Sequence, residues 1–319
     1  MTASRESVEL SVVSPMYNEQ GNVAALVDAI VAVVDPLGIP FEIVLVDDGS
    51  GDQTWSRIQE QAQTRPSVRG LRLARNFGHQ HALLAGLYDA RGRAVVSLDG
   101  DLQHPPALIP EMLSTWRSGY KVVGTQRIDD ARVSWFKRTT SRQFYRVFSR
   151  LTGIGLAAGN SDFRLLDTSA VAALREMGDA DLFLRGMVSW LGLPTATLPY
   201  QVAERHSGVS KYTLPKMLRF ASGALLSFSL LPLRLGIWVG FLTSAFAACE
   251  LAYIVYRYLS GHTITGWASV MTFMSLMFGV LFVLLGIVGT YLGKIYEILK
   301  NRPRFLIGER TADPLGTKP

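Results

Sequence analysis

From residue 235 to residue 290 the chain carries no acidic, basic or histidine side chain except Glu250, Arg257 and His262. Two apolar runs fill that stretch, 235–256 and 267–291, and each is long enough to cross about 30 Å of hydrocarbon at about 1.5 Å per residue. Residues 259–266 are too few to do more than reverse the chain, so the pattern predicts a hairpin of two transmembrane helices, 235–257 and 267–291. No Lys or Arg occurs from residue 259 to residue 290, whereas Lys294, Lys300, Arg302, Arg304 and Arg310 follow. The positive-inside rule then puts both chain ends in the cytoplasm and the hairpin tip outside. Glu250 inside the first span is expensive as an isolated charge, so it is expected to be protonated, paired or turned towards protein. Gly279, Gly286, Gly289 and Gly293 give the second span a small-residue face that favours close helix packing or oligomerisation.

The rest of the chain mixes charged and apolar residues as a water-soluble domain does. A formal charge of +6 suits an anionic partner without choosing among nucleic acid, a phospholipid surface and a phosphorylated substrate. The basic residues gather beside the membrane segments, which argues against nucleic acid. A single cysteine, Cys249, excludes an intramolecular disulfide. Residues 1–9 lack the positive flank and apolar core of a signal peptide, so the leading domain is expected in the cytoplasm.

Up to about residue 125, strand and helix patterns alternate. Short apolar runs at 10–14, 42–46, 68–73, 94–98 and 121–125 read as buried strands, with helical patterns at 54–63, 80–90 and 106–117. In the first connection Val23, Leu26, Val27, Ile30, Val33 and Val34 recur at helical spacing behind Asn22, a suitable N-cap. Such alternation predicts an α/β domain built on an open, largely parallel sheet, with its ligand crevice at the carboxyl ends of the strands. Residues 133–151 change to a basic amphipathic pattern, Arg138, Arg142, Arg146 and Arg150 lying four apart, which suits a headgroup surface or an ordinary solvated helix face. Residues 214–234 read as an interfacial helix broken near Pro232. The expected organisation is a soluble domain at 1–213, the interfacial helix at 214–234, the two spans within 235–293 and a basic cytoplasmic tail at 294–319.

Polar clusters fall at the strand ends. Asp99-Gly100-Asp101 directly follows the strand at 94–98, and two carboxylates on one loop can share a hard divalent cation able to neutralise a nucleotide diphosphate. Aspartates are also common in plain turns, so position carries this reading. Gln103 can add an amide oxygen, and Pro105-Pro106 either stiffens the loop or simply starts the next helix. Pro15-Met16-Tyr17-Asn18-Glu19 and Asp47-Asp48-Gly49-Ser50-Gly51-Asp52 end the first two strands on the same edge. Carboxylates there can accept hydrogen bonds from a base or ribose, and Tyr17 can stack on a base. Neither a G-x-x-x-x-G-K-[ST] loop nor a strand-end G-x-G-x-x-G occurs, so side chains and metal would hold the nucleotide. His79 and His81 lack a third ligand for a metal site of their own.

These residues, together with Arg75-Asn76-Phe77-Gly78, Asp162-Phe163-Arg164-Leu165-Leu166-Asp167 and Ser207-Gly208-Val209-Ser210-Lys211-Tyr212, resemble glycosyltransferase family 2. Within it the likeness is to polyprenyl-phosphate glycosyltransferases, such as bactoprenol glucosyltransferases and dolichol-phosphate mannosyltransferases, and it runs over essentially the whole chain. The resemblance implies an A-type glycosyltransferase fold with a C-terminal two-helix membrane hairpin. Pro15, Tyr17, Glu19, Asp47 and Asp48 would surround the nucleotide, Asp99 would contact ribose or metal, and Asp101 and Gln103 would bind Mg²⁺ or Mn²⁺. Arg127, Ser134, Lys137 and Arg138 resemble the place where the family receives the lipid phosphate, with Lys211 meeting it from the other side. Where the family usually carries Asp after Leu-Gln, this chain has His104, which leaves a second carboxylate there without a counterpart.

By the same resemblance the reaction is inverting transfer of glucose from UDP-glucose to polyprenyl phosphate at the inner membrane for cell-envelope glycosylation, with GDP-mannose as the alternative donor and a homo-oligomer, a tetramer, as the assembly. The acceptor phosphate is mostly dianionic at neutral pH, its second pKa being about 6, and needs little help from a base. Asp162 is the carboxylate to expect near the sugar, or else a helix or strand cap. Polymerising family 2 synthases generally have more spans and a Gln-x-x-Arg-Trp motif, and neither is present. A non-catalytic scaffold with a degenerate nucleotide fold draws support only from His104.

Overall fold

In the computed structural model, residues 8–127, 160–177, 184–200, 231–261, 266–300 and 302–312 are described. The chain divides into two compact units, one holding the sheet and its helices together with the residues from Pro303 onward, the other holding two long helices.

Strand β1 (Leu10–Met16) is buried along its whole length, as a strand covered on both faces must be. It pairs in parallel with β2 (Phe41–Asp47), from Leu10 opposite Phe41 to Met16 opposite Asp47, and with β4 (Ala94–Ser97) on its other side. β3 (Val68–Leu73) extends the parallel set beyond β2. The crossover helix α1 (Val23–Val34) buries Val23, Leu26, Val27, Ile30 and Val34, the face its periodicity announced. Asn22 occupies the N-cap position but does not cap through its side chain; its amide donates to Glu19 instead. Helices α2 (Thr54–Thr64), α3 (His79–Asp89) and α4 (Ile109–Arg117) complete the crossovers.

The sheet then departs from the simple parallel series. β6 (Asn160–Asp167) lies between β4 and β5 (Val122–Arg127), antiparallel to both, and β7 (Thr195–Tyr200) pairs in parallel with β5. Phe163, Leu165 and Leu166 are fully buried, which suits β6 to an interior position in the sheet. Helices α5 (Thr168–Glu176) and α6 (Leu184–Trp190) follow β6. On the far edge, β8 (Ile307–Arg310) runs antiparallel to β3, so residues expected only as a basic tail add the last strand. The full order is β7-β5-β6-β4-β1-β2-β3-β8.

The second unit contains α7 (Leu231–Leu259) and α8 (Trp267–Leu299), both long and apolar enough to cross a membrane. Pro232 is the second described residue of α7. α8 outruns its apolar run by two turns and carries Lys294 and Glu297 on the extension. Phe246 meets Phe273 with ring centroids 5.8 Å apart. A Cβ added at Gly236 would lie 2.9 Å from Leu284 Cδ2, whereas at Gly279, Gly286, Gly289 or Gly293 it would meet nothing within 4 Å. Close approach within the pair therefore occurs at Gly236, and the glycine face of α8 is turned elsewhere. Most of the interfacial helix expected at 214–234, its residues 214–230, lies outside the described residues.

Candidate active site

Three loops at the carboxyl ends of β1, β2 and β3 are laced into one wall. Asn18, at φ 55°, donates its backbone N–H to Ser50 Oγ at 2.9 Å and accepts from the Gly51 N–H at 3.0 Å through Oδ1. The Glu19 N–H donates to Thr54 Oγ1 at 2.9 Å, and the Asp48 N–H to the Met16 carbonyl at 2.9 Å. Asp48 then spends both carboxylate oxygens on the next loop, accepting from the Phe77 and Gly78 N–H groups at 2.8 and 2.9 Å. Gly49 makes this approach possible: at φ +66° it is in the left-handed region, and a Cβ there would lie 2.5 Å from the Arg75 carbonyl carbon.

Asp47 is completely buried at the end of β2. Its Oδ1 accepts from the Ser50 N–H at 3.1 Å, while Oδ2 has no hydrogen bond; Arg72 Nε lies 3.3 Å from it without donating. Burial pushes the Asp47 carboxyl pKa up, against the pull of Ser50 and Arg72. A buried acceptor left open is costly, and a ligand N–H or O–H would satisfy it. Pro15 pairs with Val46 inside the sheet, and Tyr17 beyond it leaves its ring half exposed. Burial also raises the Glu19 pKa, with smaller contributions from Asp101 and Asp52 that bring those three carboxylates into one another's field. Around Arg72 a cavity of about 400 Å³ is lined also by Gly49, Leu73, Ala74, Arg75, Gly308 and Glu309.

The loop after β4 supplies the second wall. The Asp99 N–H donates to His104 Nδ1 at 3.0 Å, so that nitrogen is unprotonated, and Nε2 carries the proton it shares with Ser161 Oγ at 2.8 Å. The imidazole is 6% exposed, stacked on Phe163 at 5.2 Å and 17° and meeting Tyr200 edge-on at 6.0 Å. Burial lowers its pKa, which keeps it neutral. The unexpected histidine is thus a strut under the loop. Above it Leu102 turns at φ 60° and Asp101 Oδ1 accepts from the Gln103 N–H at 3.1 Å. Burial raises the Asp99 pKa, opposed by His104 and by His79, whose Nε2 lies 3.4 Å from Asp99 Oδ1. His79, set aside as a ligand from the sequence, therefore stands next to the loop.

Among the described residues no group of three or more His, Cys, Asp or Glu side chains is arranged as a closed metal site. Asp99, Asp101 and Gln103 offer oxygen donors on one strained turn, a set that fits a hard divalent cation with its other positions left to ligand and water.

Asp162 is neither a free carboxylate nor a cap. Its two oxygens receive a fork from Arg185, both distances 2.9 Å, with Arg164 at 3.0 Å and Gln80 at 3.2 Å completing the shell. Burial would raise its pKa, but the arginines outweigh burial and hold the group far below the usual carboxylate range. The capping carboxylate is Asp167, which accepts from the Ser169 N–H at 2.9 Å at the start of α5. Sequence reasoning missed Arg185; the signal was an arginine set among the buried Leu184, Gly186, Met187 and Val188, where a cation needs a partner. Arg127 ends β5 opposite Tyr200. Ser134, Lys137, Arg138 and Lys211, with the basic helix expected at 133–151, lie outside the described residues.

Against known proteins, the family described as Glycosyl transferase family 2 matches residues 11–174. An uncharacterized glycosyltransferase of Synechocystis sp. is 35% identical over 95% of this chain and 96% of its own. The SfII prophage-derived bactoprenol glucosyl transferase of Shigella flexneri is 32% identical over 94% of this chain and 97% of its own. The crystal structure of a mycobacterial protein shares the fold at a TM-score of 0.50 and 20% identity, covering 69% of this chain and 74% of that one.

Proposed function

The chain belongs to glycosyl transferase family 2, and on that premise we propose that it moves glucose from UDP-glucose onto polyprenyl phosphate at the cytoplasmic face of the inner membrane, for cell-envelope glycosylation. The observation that carries the reading is the set of strand-end carboxylates, with the buried, unpaired Oδ2 of Asp47 after β2 and the Asp99–Asp101 turn after β4. Support for the lipid acceptor comes from the relative called a bactoprenol glucosyl transferase, which matches across both units.

Asp47 accepts from the donor base, Glu19 and Asp99 from its ribose, and Tyr17 stacks on it, while Asp48 holds the wall behind. Asp99, Asp101 and Gln103 hold Mg²⁺ or Mn²⁺, which when bound supplies positive charge to the departing diphosphate. The acceptor needs no base, since a phosphate monoester is mostly dianionic at neutral pH. The locked state of Asp162 agrees with that: a carboxylate forked by Arg185 is poorly placed to take a proton. What the chain must provide is orientation of the phosphate oxygen against the anomeric carbon, a task assigned to Arg127, Ser134, Lys137, Arg138 and Lys211. In-line attack inverts the centre, giving a β-linked product from an α-linked donor.

The membrane arrangement rests on α7 and α8. Both the strand before them, β7, and the strand after them, β8, belong to the same sheet, so an even number of crossings returns the chain to its starting side. That supports a cytoplasmic catalytic domain, residues 1–213, with an interfacial helix at 214–234 and the C-terminal segment on the same side. The glycine face of α8 supports a homo-oligomer.

The test is incubation of detergent-purified protein with Mn²⁺, undecaprenyl phosphate and a panel of nucleotide sugars, read by mass spectrometry. A lipid phosphate gaining one hexose from UDP-glucose is the expected result. Product from GDP-mannose alone would reassign the donor, and no product from any donor would overturn the proposal.

A further inference from the structure

We propose that β8, encoded after the membrane helices, is a working part of the donor pocket, and that Glu309 is a positioning residue which keeps Asp47 Oδ2 unpaired for the nucleotide base. This inference rests on the donor reading above.

Glu309 lies opposite Arg72 in the β3–β8 pair and receives Arg72 Nη1 on Oε1 at 2.8 Å and Trp55 Nε1 on Oε2 at 3.0 Å. Arg72 is also the only cation near Asp47 among the described ion pairs, its Nε 3.3 Å from Oδ2 without making a hydrogen bond. One guanidinium thus stands between two carboxylates, and the one on β8 has the better geometry. Held outward by Glu309, Arg72 lends Asp47 positive charge while leaving Oδ2 available. Released, it would swing onto a buried, unsatisfied carboxylate oxygen, since charge-assisted bonds to such a group are the strong ones. A base N–H would then have to displace it.

The strand also shapes the space itself. Gly308 and Glu309 line the cavity of about 400 Å³ together with Gly49, Arg72, Leu73, Ala74 and Arg75. Gly308 packs over Ala74, where an added Cβ would lie 3.3 Å from the Ala74 Cα, and the Ala74 N–H donates to the Leu306 carbonyl at 2.8 Å. At its other end the strand is fixed by bonds from the Thr311 N–H to the Gly70 carbonyl at 3.0 Å and from the Gly70 N–H to Thr311 Oγ1 at 2.9 Å, and by the pair of Arg310 with Asp89. None of these contacts is required to close the sheet, which is already continuous from β7 to β3. Their effect is to fix a carboxylate on the far side of Arg72 from Asp47.

The test uses the full chain in detergent with Mn²⁺, measuring binding of UDP and of GDP by calorimetry. Glu309→Gln keeps the shape and the Trp55 bond but surrenders the ion pair, and it should weaken binding of the preferred nucleotide by about five- to tenfold, the loss of roughly one charge-assisted contact. Trp55→Phe removes the other bond to Glu309 and loosens the strand comparably, but should leave nucleotide affinity within about twofold. In an Arg72→Met background Glu309→Gln should have no further effect, because the residue acts through that arginine. Equal nucleotide affinity in wild type and Glu309→Gln, or equal losses in Glu309→Gln and Trp55→Phe, would overturn the inference and leave the donor reading standing. A wild-type protein that binds neither nucleotide would overturn both.

Discussion

Substituting His104 separates its two hydrogen bonds and so tests whether the histidine acts as a strut for the Asp99–Asp101 loop. Asparagine can place its Oδ1 where Nδ1 sits and go on accepting from the Asp99 N–H, now 3.0 Å away, but it cannot reach Ser161. Glutamine can place its amide where Nε2 sits and keep Ser161, but abandons Asp99. Each variant loses one hydrogen bond, worth about 1 kcal/mol net, and the ring contacts with Phe163 and Tyr200, worth about 0.5–1.5 kcal/mol each. Ser161 Oγ retains the Phe163 N–H at 3.2 Å, so the asparagine variant strands no group there. Both should therefore lose roughly 2–4 kcal/mol of stability, with similar drops in the thermal midpoint of the sheet domain. Their metal dependence should differ. With Asp99 released, glutamine should raise the Mn²⁺ concentration for half-maximal transfer by about tenfold, the equivalent of about 1.4 kcal/mol, while asparagine should stay within about threefold of wild type. A Mn²⁺ titration of transfer to undecaprenyl phosphate reads this directly. Glutamine matching or bettering asparagine would refute the strut.

Asp101→Ala should reduce transfer to background while the protein still fractionates with membranes as an integral component; retained transfer would remove Asp101 from the metal set. Arg185→Ala leaves the buried Asp162 with half its hydrogen bonds, and since breaking a buried pair costs about 3–5 kcal/mol and Arg185 is partly exposed, a loss of roughly 2–3 kcal/mol is expected in denaturant melts. A loss below about 0.5 kcal/mol would deny the pair its structural weight. Asp162→Asn should lower stability without moving the pH profile of kcat, because the group serves as an anchor; a displaced acid limb would mark it as a base. Asp167 is held down to about 2 by bonds from Ser169, Trp116 and Lys121 that outweigh its burial, against an ordinary 3.8. Because the folded value is depressed, its contribution is complete above about pH 4 and is lost as pH falls towards 2, so Asp167→Asn should flatten the acid limb of the stability profile.

Legibility followed physical scale. The parallel strands and α1 were readable because burial on both faces forces near-continuous apolar runs in β1 and β2, and burial on one face forces helical periodicity in α1. The strand-end loops were readable too, because polar clusters directly after apolar runs have few other places to go. Two features depended on distant pairing and left little local trace. β6 enters between β4 and β5 as an antiparallel strand, and nothing in Asn160–Asp167 announces which neighbours it takes. β8 is four residues long with one large apolar side chain, Ile307, and is held by side-chain bonds to Trp55, Arg72 and Asp89 that no periodicity encodes. In the site, His104 looked like a lost carboxylate because its role rests on Phe163, Ser161 and Tyr200, 57 or more residues away in the sequence. The ion pair of Asp162 left no local trace because its partner Arg185 sits on another element.

The measurement that bears most directly on the central claim is the structure of the product. With UDP-[¹³C]glucose, Mn²⁺ and undecaprenyl phosphate, the crevice and its unassisted phosphate acceptor predict a lipid whose anomeric carbon couples to phosphorus in the NMR spectrum with the β configuration. An α-linked glucosyl phosphate, or glucose recovered only in the aqueous phase, would contradict it.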